Sequence, residues 1–241
     1  MNGSELKAGA RRLIFDNAPK LLIISTVFVI IVTVMSELQF RLPGTALAYD
    51  RFLERLRSGE LPSLGMFYSN LRVSGVVLAA IIFMLRPIMD VGFISYCIKM
   101  TRGLGGDYYD IFNGFVLFIK VLMVFIITTV LQALWSMLFV LPGIAAYYRY
   151  RQSYYILLDA PEKGVIQCIR ESKQLMSGNK LDLFLVDLSF AGWFLLDFFI
   201  ALTLSFLSVP VAIPIVSLWL TPYMGLTHAA YYNRLLGRIT V

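Results

Sequence analysis

Apolar residues in this chain come in long runs, and each run predicts a helix that is apolar on every side. Crossing the hydrocarbon core of a bilayer takes about 20 mostly apolar residues in helical form. Residues 20–38 (KLLIISTVFVIIVTVMSEL) supply the first such run. Residues 73–100 supply the second, interrupted by Arg86, Pro87 and Asp90. Residues 112–141 supply the third, ending at Leu141-Pro142-Gly143. The stretch 144–158 (IAAYYRYRQSYYILL) is shorter and holds Arg149 and Arg151; residues 181–206 and 211–233 are the fifth and sixth. A water-soluble chain of this size cannot bury several such helices on all sides. The pattern therefore predicts an all-α fold, a polytopic transmembrane helix bundle of about six spans, as a single membrane domain over residues 1–241.

Two stretches between the runs have amphipathic helical spacing. In 45–58, Tyr49, Phe52, Leu53 and Leu56 recur at i, i+3, i+4 and i+7, and Gly59 closes the segment. In 159–177, Asp159 reads as an N-cap, Glu162 as its capping-box partner and Pro161 as a first-turn residue, while Val165, Ile169, Ser172 and Met176 share a face. The first is expected outside the cell and the second in the cytoplasm, each lying on the bundle or in the lipid interface; docking of a partner is the functional alternative. Prolines 87, 142, 210, 214 and 222 break or begin helices. Gly75-x-x-x-Ala79 and Gly225-x-x-x-Ala229 let helices approach closely. Leu42-Pro43-Gly44-Thr45-Ala46 echoes Leu141-Pro142-Gly143-Ile144-Ala145, either as the trace of a duplication or as two similar helix-start turns.

Composition points the same way. The chain is 59% hydrophobic and 15% charged, against about half and a quarter in a soluble domain, and its mean hydropathy is +0.75. A disordered chain, a coiled coil and a water-soluble nucleic-acid binder are excluded. The net charge of +6 sets orientation here, because Lys and Arg gather on the cytoplasmic side of a bilayer. Lys7, Arg11, Arg12 and Lys20 stand before or at the start of the first run. Lys163, Arg170, Lys173 and Lys180 lie in 159–180, Arg234 and Arg238 near the C-terminus, and no basic residue in 141–143 or 207–210. Placing the basic segments inside puts both termini of a six-span protein in the cytoplasm. The arginine-rich loop 39–72 then lies outside. A five-span arrangement, with 144–158 in the interface, moves one terminus out. Ala46-Leu47-Ala48 behind a basic start resembles a signal-peptide site, but it lies roughly ten residues beyond a long run, so an uncleaved first helix is expected.

The region 141–193 carries a denser pattern: a Pro-Gly turn, a Tyr-rich helix, Leu158-Asp159-x-Pro161, Glu171-Ser172-x-x-Leu175-Met176-x-Gly178-x-Lys180 and Leu188-Ser189-Phe190-x-Gly192-Trp193. With the opening Asn2-Gly3-Ser4-Glu5-Leu6-Lys7, it resembles the bacterial integral membrane proteins catalogued as domain of unknown function 975. The resemblance implies a multi-span inner-membrane protein and carries over no catalytic residues. The Ser-x-x-Leu-Met-x-Gly segment is also similar to the cytoplasmic link in membrane domains attached to some glycerophosphodiester phosphodiesterases, an architectural likeness only.

Ionisable groups at membrane depth cost about 2.5–3.5 kcal/mol each on insertion scales, so they are paired or functional. Arg86, Asp90, Lys120, Arg149, Arg151, Asp187 and Asp197 form the candidate intramembrane polar network. Arg151 and Asp187 both lie about 10 Å from the cytoplasmic edge at 1.5 Å per residue. Depth therefore pairs Arg149 or Arg151 with Asp187, and Asp90 with Arg86 or Lys120; Asp197 lies about 24 Å in, towards outer water. These pairs either hold helices in register or line a path for ions or substrate. Tyr147, Tyr148, Tyr150, Tyr154 and Tyr155 form either an interfacial aromatic belt or the wall of a lipid- or peptide-binding groove.

Cys97 and Cys168 fall near the cytoplasmic face, where thiols stay reduced. With His228, the only histidine, they cannot make an ordinary zinc site, and no metal or cofactor is expected. His228 reads as a packed or hydrogen-bonded residue without an evident pair of partners. H-E-x-x-H, G-x-S-x-G, Walker and G-x-G-x-x-G motifs are absent. Asp187 and Asp197 sit about 15 Å apart along one helix and cannot share a proton. The expected function is a non-enzymatic scaffold or accessory protein in the lipid bilayer, binding lipid, peptide or another membrane protein, with homo-oligomerisation open and no nucleic-acid partner. The alternative is a small secondary transporter or permease using the intramembrane ion pairs.

Overall fold

The computed structural model describes residues 3–59, 72–206 and 215–238; Pro210, Pro214 and residues 60–71 lie outside these. Every regular element among the described residues is helical. In chain order they are α1 (Gly3–Asp16), α2 (Lys20–Arg41), α3 (Thr45–Arg57), α4 (Val73–Thr101), a 3-10 turn (Tyr108–Phe112), α5 (Asn113–Val116), α6 (Phe118–Leu138), α7 (Val140–Tyr150), α8 (Ser153–Asp159), α9 (Val165–Leu175), α10 (Lys180–Leu188), α11 (Ala191–Phe206) and α12 (Ile215–Leu235).

Four stretches are long and apolar enough to cross a membrane: Lys20–Arg41, Val73–Thr101, Phe118–Leu138 and Lys180–Ile200. Each buries at most a third of its most apolar window against the rest of the protein. The remaining apolar surface, Ile23, Ile30 and Val34 on α2 or Ile119, Met123 and Ile126 on α6, faces outward. A water-soluble fold would turn such residues inward. The stretch 140–159 and helix α12 fall short of that apolar standard because they carry Arg149 and Arg151 in one, and His228, Asn233 and Arg234 in the other.

Several boundaries differ from those expected. The stretch 144–158 is not one rod: α7 ends at Tyr150 and α8 begins at Ser153. Leu141-Pro142-Gly143 is not a loop but the first turn of α7, where a proline's missing N–H is harmless. The hairpin between α6 and α7 turns on a single residue, Phe139, in extended backbone (φ −162°, ψ 157°). Residues 181–206 bend at Ser189–Phe190 into α10 and α11. The capping box expected at Asp159 and Glu162 does not form; α9 starts at Val165 behind Gly164, and Asp159 instead ends α8. Helix α1 was not anticipated, since its apolar residues come singly. Leu6, Ala10 and Ile14 nevertheless recur every four residues and are buried, so α1 packs by one stripe.

Side-chain contacts fix the direction of each rod. Phe28 of α2 stacks on Phe93 of α4 at 4.3 Å, and Arg86 Nη1 donates to Ser36 Oγ at 3.0 Å, which sets these two helices antiparallel. Phe83 meets Phe125 edge-on at 5.2 Å across the α4–α6 contact. Helix α12 runs parallel to α4: Gly225 faces Phe93 and Cys97, and Asn233 Nδ2 donates to Thr101 Oγ1 at 3.0 Å. Along α10–α11, contacts with α12 run in reverse order, from Tyr231 with Asn179 through His228 with Asp187 to Ser217 with Asp197. The rods α2, α4, α6, α7–α8, α10–α11 and α12 therefore alternate in direction.

One end of this bundle is tied by a polar clasp. Arg102 forms a bidentate pair with Asp159 at 2.6 and 2.9 Å and donates to Asn233 Oδ1 at 2.9 Å. Arg238 and the Tyr232 hydroxyl also donate to Asp159, at 2.9 and 3.1 Å. Burial alone pushes the Asp159 carboxyl up, but the two guanidinium groups and the hydroxyl outweigh it and hold the group below the usual carboxylate range. The same end carries Lys20 with Asp107 at 2.7 Å and Lys99 with Asp110 at 2.5 Å.

Candidate functional site

A cavity of about 610 Å³ opens among α2, α4, α6, α7–α8, α11 and α12. Each helix contributes a stripe set by its own periodicity. Arg86, Asp90 and Phe93 of α4 stand at i, i+4 and i+7, and Phe125, Thr128 and Gln132 of α6 at i, i+3 and i+7. The α7–α8 segment contributes Tyr147, Tyr150, Arg151, Tyr154 and Tyr155, and α12 contributes Ser217, Thr221, Met224 and His228. The lining is amphipathic: guanidinium, carboxylate, hydroxyl and imidazole groups face a wall of Phe28, Phe83, Phe93, Phe125, Phe194 and Leu220.

Arg86 and Asp90 sit four residues apart on α4 with Nε 3.8 Å from Oδ1, a long ion pair. Arg86 Nε is buried and makes no hydrogen bond. The depth argument named either Arg149 or Arg151 as the partner of Asp187; in the structure it is Arg151, on Asp187 Oδ2. Asp187 also accepts from the Tyr148 hydroxyl at 3.0 Å and stands 2.6 Å from His228 Nε2. Arg151 Nη2 lies 3.1 Å from His228 Nδ1. Both histidine contacts are satisfied when the ring carries its proton on Nε2, which donates to Asp187 while Nδ1 accepts from Arg151. Four residues from three rods thus form one closed network beside the cavity, with Arg151 and His228 on its wall.

The other candidates lie elsewhere. Lys120 does not reach Asp90. Its ammonium donates to the backbone carbonyls of Pro161 and Lys163, because a lysine in the first turn of a helix can extend to the polar loops at the bundle end. Arg149 does not touch Asp187 and packs 5.4 Å over the Trp135 ring. Asp197 accepts from Ser217 Oγ at 2.9 Å and is not on the cavity wall. Among the tyrosines, Tyr148 turns away from the cavity towards Asp187 and Phe184, while the other four line it. Cys97 and Cys168 are both buried as free thiols. No cluster of three His, Cys, Asp or Glu side chains able to hold a metal occurs among the described residues.

His228 is the participant that the sequence did not single out. Its partners come from two other rods, and helix-by-helix reading does not join them. A usable signal was present: Ser217, Thr221, Gly225, His228 and Tyr232 recur every three or four residues, a small-and-polar stripe in an otherwise apolar helix. The clasp residues Arg102, Asp159 and Asn233 were missed because they lie in or beside loops.

No curated protein and no solved structure matches the chain. Residues 138–239 match the model of a family described as Protein of unknown function (DUF975). The matched stretch runs from the end of α6 through α12 and includes Arg151, Asp187, His228 and the tyrosine cluster. It leaves out Arg86, Asp90 and Lys120. Over residues 138–239, the chain is thus similar to the DUF975 proteins of unknown function, the family its sequence pattern resembles.

Proposed function

We propose that the protein is a multi-pass component of a bacterial inner membrane, with six crossings and both termini in the cytoplasm, and that it binds an amphipathic, lipid-like molecule without chemically altering it. The single observation that carries this is the cavity wall. It joins aromatic and aliphatic side chains to guanidinium, carboxylate and hydroxyl groups within about 610 Å³, and that mixture matches a ligand with a polar end and an apolar body. The alternation of the six rods supports six crossings. In that arrangement the clasp end, which gathers Lys20, Lys99, Arg102 and Arg238, is cytoplasmic. The broken rods are compatible with crossing, because Gln152 and Phe190 at their breaks are buried against neighbouring helices.

The test is retention of ligand. Protein purified in mild detergent is stripped with organic solvent and the extract analysed by mass spectrometry. Wild type is expected to hold a defined amphiphile near one per chain. Thr221→Phe, which fills the cavity, is expected to lose most of it, while Leu195→Phe on the exposed face of α11 keeps it. Equal retention by all three proteins would defeat the reading. A secondary transporter is the second reading, favoured by the Arg86–Asp90 pair on the cavity wall; flux of the extracted amphiphile into proteoliposomes distinguishes it from simple binding.

A further inference from the structure

A second cavity, of about 400 Å³, lies between α1 and helices α10 and α12 and shares no lining residue with the first. Its polar wall is Ser4 and Lys7 of α1, Ser189 at the α10–α11 bend, and Asp182 and Arg234. Lys7 Nζ stands 4.0 Å over the ring of Phe190, and no carboxylate lies within ion-pair distance of it among the described residues. Burial, with the charge of Arg11 behind it, holds the Lys7 ammonium below the ordinary lysine range, the condition of a cation lacking a counter-charge. Arg234 makes a long contact to Asp182, at 4.0 Å, and lies 5.9 Å over the Tyr231 ring, and Asp182 is about half exposed. Lys7 thus lacks a carboxylate partner among the described residues, and that of Arg234 is loosely held. Leu185 belongs to the same wall and is 58% exposed, with Leu181 and Leu188 exposed on either side of it along α10. The polar hollow therefore opens onto an apolar strip.

We infer that this cavity is a headgroup site for an anionic phospholipid of the inner leaflet, in which Lys7 and Arg234 hold the phosphate and Ser4 and Ser189 lie within the headgroup hollow. The acyl chains follow the α10 leucines. Clustered cations at the cytoplasmic boundary of a bilayer attract such lipids with roughly fivefold in affinity for each charge near the surface. This inference rests on the membrane placement proposed above and not on any ligand in the first cavity.

The experiment measures the melting temperature of detergent-purified protein against added phosphatidylglycerol, phosphatidylcholine or inorganic phosphate. Phosphatidylglycerol is expected to raise the melting temperature in a saturable way, phosphatidylcholine and millimolar phosphate to leave it unchanged. Lys7→Gln and Arg234→Gln are each expected to weaken the phosphatidylglycerol midpoint about fivefold. Should Arg234→Gln fail to fold, Lys7→Gln alone decides, since Lys7 makes no ion pair among the described residues. An equal response to phosphatidylcholine, or an unchanged midpoint in Lys7→Gln, would overturn the site. An equal response to inorganic phosphate would overturn the lipid as its source. Protein that stays monodisperse without detergent would instead refute the membrane placement itself, so the two failures are distinguishable.

Discussion

Asp159 and Asp187 show how much one carboxylate can organise. Each is shared by three donors drawn from different segments. Removing one partner from such a group leaves charge without compensation, at about 3–5 kcal/mol where the pair is buried. For Asp159, at the clasp end of the bundle, the sign of the pH effect follows from its depressed titration. A carboxyl held below its unfolded value stabilises the fold above that value, and the contribution is lost as pH falls through the folded one. Detergent-purified protein is therefore expected to lose stability as the pH drops below about 4, and Asp159→Asn to be less stable at neutral pH with a flatter acid limb; thermal unfolding from pH 7 to 3 checks this. An acid limb unchanged in Asp159→Asn would remove the clasp from the account. Depth along the crossings was enough to bring Arg151 to Asp187 from sequence. It could not choose between Arg149 and Arg151, which are two residues apart and so face different sides of a helix. It also left Arg86 and Lys120 open as partners of Asp90; Arg86 is the one beside it, and Lys120 reaches elsewhere, because a long flexible side chain need not stay at the depth of its own Cα.

Among the elements, apolar runs located the helices but not their interruptions. The breaks at Arg151–Gln152 and Ser189–Phe190 occur close to the network of Arg151 and Asp187, where polar side chains make packing direction matter more than helical continuity. Hydropathy averages over such positions and passes straight through them. Helix α1 was invisible for the opposite reason, since a stripe of three buried residues in a polar segment makes no run. The small-residue patch on α12 was legible and has a definite role. A Cβ at Gly225 would lie 2.8 Å from Cys97 Sγ and from a ring carbon of Phe93, so only hydrogen fits between α12 and α4. Gly225→Leu is expected to separate these helices and cost about 1–3 kcal/mol, read as a lower melting temperature in detergent. A wild-type value would mean that the α4–α12 contact is looser than the packing shows.

At the scale of the molecule, alternation of six rods makes a topological prediction. A C-terminal green fluorescent protein fusion is expected to fluoresce, an alkaline phosphatase fusion after Ser58 to be active, and one after Pro161 to be inactive. Activity of the fusion after Pro161 would support five crossings and place 144–158 in the interface. The cavity could not be foreseen in sequence as a whole, because it is built from five or more rods whose mutual rotation no single run encodes. Its members could be foreseen individually, as charges and tyrosines out of place in apolar helices.

The α6–α7 turn carries one more consequence. Phe139 and its neighbours Met137, Leu138, Val140 and Leu141 are all exposed, and no ionisable side chain apart from tyrosine occurs between Lys120 and Arg149. In the membrane placement proposed above, a pair of rods joined by so greasy a tip would enter the bilayer apex first, with no charged group at or near the apex. Biogenesis of this pair is thereby freed from the energetic barrier that export of a hydrophilic loop imposes.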